Sequence, residues 1–133
     1  MATEVLVNDG GAPARILPFT AGTAVTGGRV VTLATDGAVD HSGADAHNAI
    51  GVALMDAAAG DMVSVVTGKG VILNVYCSGT IDEGKLLDVV ADGVLIAGTD
   101  ANIAASGTTV GVAMTGATVT TNTYAMHPVL MRN

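Results

Sequence analysis

Hydrophobic positions along the chain fall into short runs separated by turn residues. Val30–Leu33, Ile50–Met55, Met62–Thr67 and Val71–Tyr76 are rich in β-branched and aliphatic side chains, and Gly, Asp and Asn lie between them. Short runs of this kind, bounded by turn residues, predict β-strands. The run Ile50–Met55 is apolar throughout, which predicts burial on both faces, or on one face and at a subunit contact.

The pattern occurs twice in the chain. The segment GRVVTLATDGAV at Gly28–Val39 is followed 56 residues later by GKLLDVVADGVL at Gly84–Leu95. The tetrad Gly51–Leu54 returns 60 residues later as Gly111–Met114. Matched landmarks in the same order predict an internal repeat of one β-unit.

Each copy is centred on a hairpin turn. The dipeptides Asp36-Gly37 and Asp92-Gly93 are typical of the type I′ turn that joins two antiparallel strands. A chain of 133 residues has the length of one domain. We therefore predict an all-β fold, a small barrel or sandwich of the β-tulip type. It spans residues 20–133, repeats its unit over 28–76 and 84–131, and follows an extended N-terminal arm at residues 1–19.

The N-terminal segment differs from the rest of the chain in its pattern of apolar and turn residues. A short apolar stretch precedes the turn Asn8–Gly11, and a second one contains Pro18. Proline lacks the N–H that a sheet requires, so Pro18 predicts an edge strand or an arm, and Pro128 predicts an edge for Ala125–Met131. A frayed terminus with one edge strand is the alternative. The apolar side chains of this segment support a second interpretation, an arm that orders on a partner.

The composition limits how the core can be built. Half of the residues are hydrophobic, yet Phe19, Tyr76 and Tyr124 are the only aromatic ones. Ala, Val, Gly and Thr make up most of the rest. Because large aromatic side chains normally supply much of the buried area, this core must be built from small side chains. A small domain with a thin core gains burial from subunit contacts. The composition therefore favours an oligomer.

Charge and hydropathy exclude several classes of partner. The net charge is −7, and the five basic residues are scattered, so no basic stripe is available to neutralise phosphates. We expect neither nucleic acid nor an anionic membrane as a partner. The chain shows no signal-peptide pattern and no uncharged apolar run of about 18 residues, so we expect synthesis in the cytoplasm without a transmembrane helix.

Two stretches contain residues that could carry chemistry. Asp40, His41, Asp45 and His47 offer oxygen and imidazole ligands for a metal ion. Their spacing matches no metal motif and the second copy has no counterpart, which favours a solvated loop. Lys69 lies between two glycines, without the spacing of a phosphate-binding loop or the flanking residues of a lipoyl or biotinyl carrier. A hairpin turn is favoured, and a carrier domain is the less favoured alternative.

Catalytic groupings are not indicated by the sequence. The three histidines lie near no nucleophile-elbow pattern. Asp82 and Glu83 are adjacent, so on a strand they would point to opposite faces. Cys77 is the single cysteine and has no cationic sequence neighbour, which favours a structural thiol. We therefore predict a protein that is not an enzyme, with no catalytic, cofactor or metal site.

The order of these segments resembles a known family. A Gly/Thr-rich turn leads to GRVVTL, then to AIGVALMDAAAGD, then to VSVVTGKGVIL, and a second pass ends in VGVAM. This pattern, which covers most of residues 20–115, resembles the small capsid cement or decoration proteins of tailed bacteriophages. Its turns and strands carry no catalytic signature.

The resemblance implies a structural role on a virion. Such proteins are compact β-domains, usually homotrimers, that lie on the outer capsid surface at three-fold or quasi-three-fold positions. They clamp neighbouring copies of the major capsid protein and stabilise the shell. In several, the N-terminal arm makes the coat contact, often by adding a strand to the β-structure of the coat protein. By position, the residues that would carry this role here are Val5, Leu6, Val7, Ile16, Leu17 and Phe19. A head-fibre or tail structural component is the neighbouring alternative.

Overall fold

The computed structural model describes residues 5–8, 15–43, 49–67, 71–78, 80–81, 83–84, 86–97, 109–114, 117–118 and 125–131. These residues form β-strands joined by loops and by two single 3₁₀ turns, Thr35–Gly37 and Ala91–Gly93. The strands are β1 (Leu6–Asn8), β2 (Arg15–Thr20), β3 (Val30–Leu33), β4 (Val39–His41), β5 (Ala49–Ala53), β6 (Met62–Thr67), β7 (Ile72–Cys77), β8 (Thr80–Ile81), β9 (Leu86–Val90), β10 (Val94–Ala97), β11 (Thr109–Ala113), β12 (Ala117–Thr118) and β13 (Ala125–Met131). The prediction of an all-β fold is confirmed.

The strands form two larger sheets and one small one. The first half of the chain, residues 15–67, forms a five-stranded sheet in the order β2-β6-β5-β3-β4. The second half, residues 71–131, forms most of a six-stranded sheet in the order β1-β7-β10-β9-β11-β13. Because β7 also pairs with β13, five strands of that sheet close into a ring and β1 lies outside it. The strands β8 and β12 pair separately.

The two larger sheets have the same pairing pattern. The antiparallel pairs β3–β4, β3–β5, β5–β6 and β2–β6 correspond to β9–β10, β9–β11, β11–β13 and β7–β13. A parallel bridge joins Ala21 to Val39 in the first half, and its equivalent joins Cys77 to Leu95. The sequence repeat thus falls on equivalent strands. That both halves derive from one duplicated unit is our interpretation of this match.

The two Asp-Gly turns have the predicted geometry. Asp36 has φ 58° and ψ 28°, and Gly37 has φ 77°. Asp92 has φ 63° and ψ 22°, and Gly93 has φ 70°. A type I′ turn requires positive φ at both central residues, and Asp is among the residues that tolerate it. The sequence signal for these two hairpins is therefore confirmed.

Small aliphatic side chains fill two core clusters. Strands β3, β5 and β6 contribute to both, because neighbouring residues on a strand point to opposite faces. Val31, Ala53 and Val65 belong to the core of the first half, whereas Val30, Val52 and Val66 pack against the second half. The burial on both faces that the apolar run predicted for β5 is confirmed, and it occurs within one chain.

The two prolines have different positions in the sheets. Pro18 lies on β2, at the end of the first sheet's strand order, so its predicted edge position is confirmed. The edge predicted for β13 is wrong, because β13 pairs with β7 on one side and β11 on the other. The Pro128 carbonyl accepts the Met114 N–H at 3.1 Å. The Pro128 nitrogen faces the same side, just past the end of β11 at Ala113, so no ladder bond is lost.

The described part of residues 1–19 packs against both sheets. Val5 is only 5% exposed and belongs to the core shared by the two halves. The strand β1 pairs antiparallel with β7, and β2 pairs with β6 along all of its residues, Arg15–Thr20. The boundary that we predicted between an arm and the β-domain at residue 19 stays a prediction.

Candidate interaction surface

The strand β2 presents one backbone edge outward. Just after β2, Ala21 donates its N–H to the Asp61 carbonyl at 2.9 Å and accepts the Gly60 N–H at 2.8 Å, on the β6 side. The next residue, Gly22, donates to the Val39 carbonyl at 2.9 Å, on the opposite side. Because alternate residues of a strand direct their backbone groups to opposite sides, every second residue back from Gly22 faces away from β6. Ile16, Pro18 and Thr20 are these outward residues.

Apolar side chains are exposed along this edge. Ile16 is 44% exposed, Leu17 is 45% exposed, and Met62, opposite Thr20, is 62% exposed. Leu17 lies opposite Val65, so its side chain is on the inner face of the first half, yet nearly half of it reaches solvent. Large exposed aliphatic groups grouped on one strand pair are typical of a contact surface. We call Ile16, Leu17, Pro18 and Met62 the edge patch.

The structure separates the residues predicted for the partner interface. Ile16 and Leu17 lie on the edge patch, and Phe19 is half-buried against the core of the first half. Val5 is buried in the shared core. Leu6 and Val7 lie on β1, and their side chains fall outside the described atoms. Of the six candidates, Ile16 and Leu17 are therefore the two with described exposed side chains.

A cleft of about 290 Å³ lies where the two halves meet. The Asp56 carboxylate fixes one wall by accepting the Gly27 N–H at 2.7 Å. Across the junction the Arg29 guanidinium lies 5.4 Å from the centroid of the Tyr76 ring and donates to the Asp92 carbonyl at 3.2 Å. A cation over an aromatic face is attractive at that distance. The cleft is lined by Val5, Thr26, Gly27, Leu54, Met55, Asp56 and Tyr76.

Sequence reasoning did not find this junction. Arg29 and Tyr76 belong to different halves, and the sequence contains no short-range signal that brings them together. The Tyr76 N–H donates to the Gly28 carbonyl at 2.8 Å, so a backbone bond places the ring beside the arginine. The contact therefore depends on how the two sheets pack, which local patterns do not encode.

His41 acts as a structural hydrogen-bond acceptor. Its Nε2 atom accepts the Thr26 N–H at 2.9 Å, which requires that nitrogen to be unprotonated. Burial lowers the pKa of His41 below 6.5, and the nearby Arg29 guanidinium lowers the pKa further. Asp92 and Asp40 act in the opposite direction and favour the imidazolium. The neutral imidazole thus joins the end of β4 to the segment that lines the cleft.

Of the remaining metal-ligand and carrier candidates, Asp40 lies within the described residues. The Asp40 carboxylate accepts the Thr23 hydroxyl at 3.1 Å. Asp45, His47 and Lys69 fall outside the described residues. Within the described ranges, no three His, Cys, Asp or Glu side chains form a group suited to a metal ion. No helix among those residues is long and apolar enough to cross a membrane.

Cys77 is buried at the parallel contact of the second half. Burial raises the pKa of its thiol to about 12, because the thiolate would lose its hydration. The Sγ atom lies 3.3 Å from the Val75 carbonyl. A thiol with so high a pKa is a poor nucleophile at neutral pH. This environment fits the structural role that the sequence predicted for Cys77.

The fold and the edge patch define a compact all-β protein with an exposed apolar strand edge. Comparison with protein families gives a match to the family described as phage cement protein, over residues 12–128. The chain belongs to this family, whose members are structural proteins of the phage capsid.

Comparison with solved structures supports the same fold. The chain is similar to the crystal structure of the head fiber gp8.5 N base of bacteriophage phi29, with a TM-score of 0.67. The match covers 90% of this chain and 94% of the other, at 17% sequence identity. At that identity the likeness shows the fold alone. A search of curated proteins gave no match.

Proposed function

We propose that the protein binds the outer surface of a phage capsid and stabilises the shell. In this proposal it acts as a homotrimer at three-fold or quasi-three-fold positions, in contact with the major capsid protein. The observation that carries the proposal is the match to the phage cement family over residues 12–128. The resemblance of the repeated strands to decoration proteins supports the outer location and the trimer.

The edge patch is the proposed coat contact. Ile16 and Leu17 are nearly half exposed, and Met62 is more than half exposed. Burying such side chains against a coat subunit would contribute about 25 cal/mol for each Å² of apolar surface removed from water. The proposed contact is mainly apolar. Its strength should therefore change little with salt, because salt mainly screens exposed charges.

Attachment to capsids that lack the protein tests this proposal. Purified protein should saturate such capsids and raise the temperature at which they release their DNA. The substitution Leu17→Asp should reduce attachment at least about tenfold, since a buried carboxylate without a partner costs more than 1.4 kcal/mol. Leu33→Asp is the matched control, because Leu33 is 46% exposed and lies on β3, away from the edge patch.

The outcomes separate the parts of the proposal. Failure of the unmodified protein to attach to its cognate capsid would contradict the capsid role. Equal losses for Leu17→Asp and Leu33→Asp would place the contact elsewhere. Light scattering after size exclusion measures the oligomeric state, and a stable monomer would contradict a preformed trimer.

The base of a head fibre is a second candidate function. The fold likeness to a head fiber N base over nine-tenths of the chain favours it. A fibre base carries further protein, whereas a cement protein acts on the shell alone. Particles made without this chain should lose heat stability if it is a cement protein. They should keep heat stability and lose fibres if it is a fibre base.

A further inference from the structure

Each half has one strand, β7 or β2, with a stretch of backbone edge that lies outside the parallel contact. In the second half, β7 meets β10 only at Cys77 and Leu95, so the stretch Ile72–Asn74 lies outside that parallel contact. The strand β1 fills this place, with Leu6 opposite Leu73 and Asn8 opposite Ile72. In the first half, the equivalent stretch is Ile16–Pro18, 56 residues earlier. Among the described residues, no strand pairs with the outer side of that stretch.

The two equivalent stretches differ in one backbone N–H group. The Asn74 N–H donates to the Val5 carbonyl at 2.6 Å, and this bond holds the start of β1 against β7. Pro18 is the residue equivalent to Asn74. Its backbone also faces away from the paired strand, β6, but proline has no N–H to donate. The parallel bridges establish which positions are equivalent, because the pair Ala21–Val39 in the first half corresponds to the pair Cys77–Leu95 in the second.

We propose that Pro18 closes the outer edge of β2 to strand addition, so that, of these two equivalent edges, the β7 edge alone accepts an extended apolar segment. The edge patch then binds partners through its side chains and not through a backbone ladder. Proteins protect exposed strand edges in this way, because an open edge pairs with other chains. The proposal does not depend on the capsid role.

The structure indicates what an opened edge would accept. Residues 5–8 already pair with the equivalent edge, on β7 of the same chain. In this pairing the Val5 side chain is buried and the Val5 carbonyl accepts the Asn74 N–H. Without Pro18, residues 5–8 of a second copy would meet the same backbone pattern on β2. The expected register places Leu6 opposite Leu17 and Asn8 opposite Ile16, as β1 lies on β7.

A peptide-binding experiment tests the proposal. The variants are Pro18→Asn, which introduces the residue of the second half, and Pro18→Ala, which restores the N–H alone. The probe is a fluorescent peptide of residues 3–9, and its binding is followed by anisotropy. Both variants should bind about five- to tenfold more tightly than the unmodified protein, the ratio that one main-chain hydrogen bond supplies. Light scattering should show larger assemblies of both variants at high concentration.

Pro128→Ala is the matched control. It also replaces a strand proline, but β13 is paired on both sides, so this variant should bind the peptide as the unmodified protein does. Peptide that displaces β1 from β7 would contribute equally to all proteins, and the comparison between variants removes that contribution. Equal binding by the unmodified protein and both Pro18 variants would overturn the proposal. Equal gains for Pro128→Ala would also overturn it.

Discussion

The two halves of the chain have the same strand pairing but different degrees of burial. Leu73 on β7 is 1% exposed, whereas Leu17, at the equivalent place on β2, is 45% exposed. The difference arises because β1 covers the edge of β7 and no described strand covers the edge of β2. Similarly, Val89 is fully buried and its equivalent Leu33 is 46% exposed. One pattern of hydrophobic positions therefore yields buried side chains in one half and exposed side chains in the other.

The largest expected contrast is between Leu73→Ala and Leu17→Ala. Removing the buried Leu73 side chain leaves a cavity and should lower the free energy of unfolding by about 3 kcal/mol. Leu17→Ala should lower it by less than about 1 kcal/mol, because that side chain already reaches solvent. Urea denaturation of both variants measures the two losses. Similar losses would mean that Leu17 is buried in the protein in solution, for example by a second copy.

A second contrast concerns the glycines of the repeated tetrad. A Cβ at Gly51 would collide with the Val66 carbonyl oxygen, and one at Gly111 would lie 2.5 Å from the Val129 Cγ1 atom and 2.7 Å from the Leu130 carbonyl oxygen. We expect Gly51→Ala to destabilise by about 3 kcal/mol and Gly111→Ala by about 2 kcal/mol, since the nearest atom at Gly111 belongs to a methyl group, which moves more easily than the backbone oxygen nearest to Gly51. Thermal unfolding measures both.

Gly43→Ala is the control for these two substitutions. Nothing lies within 4 Å of a Cβ at Gly43, and its φ is not positive, so we expect little change in the unfolding temperature. No loss at Gly51 would contradict the close approach of β5 and β6 in the first half, and a large loss at Gly43 would contradict the open space around that residue.

The third prediction concerns the pH dependence of stability and His41, a residue of the first half. The pKa of His41 is lowered in the folded protein, so the unfolded chain binds the proton more tightly. The stabilisation by neutral His41 is therefore complete above about pH 6.5, the unfolded value, and is lost as the pH falls below it. His41→Gln keeps an acceptor without titration, so its stability should fall less between pH 7.5 and about 5.5.

Urea denaturation across that pH range measures the difference for His41. The other two histidines, His47 and His127, are present in both proteins, so comparing the slopes removes their contribution. Parallel pH profiles for the variant and the unmodified protein would show that the Thr26 bond does not depend on the charge of His41.

The smallest expected effect comes from exchanging equivalent residues at the parallel contacts. Cys77 in the second half corresponds to Ala21 in the first, and both are buried. Cys77→Ala should therefore cost only about 1 kcal/mol. The thiol, with a pKa of about 12, should react with a disulfide reagent at pH 8 only as fast as the protein unfolds. Rapid reaction in the native protein would contradict its burial.

The sequence predicted much of the fold because the relevant signals are local. Alternating or continuous apolar runs identified β3, β5, β6 and β7, and the dipeptides at Asp36 and Asp92 identified two turns. The error at Pro128 has a specific cause. A proline is excluded from a ladder only where its nitrogen faces a partner, and the side that it faces depends on the neighbouring strand.

The candidate surface was predicted in part. The exposed Ile16 and Leu17 were among the predicted interface residues, because their segment is apolar and contains a proline. The same reasoning named Val5, which the structure places in the core. An apolar terminal segment has one composition whether it covers its own sheet or a partner, so sequence pattern alone does not separate these outcomes.

By itself, the sequence determined the strands, the two equivalent hairpin turns and the small-residue core, because each depends on residues close together in the chain. The tertiary structure alone decided that β13 closes a ring, that Arg29 lies over Tyr76, and that β1 covers β7 while no described strand covers the outer edge of β2. These features join residues far apart in sequence, and packing between sheets determines which backbone edges and side chains meet.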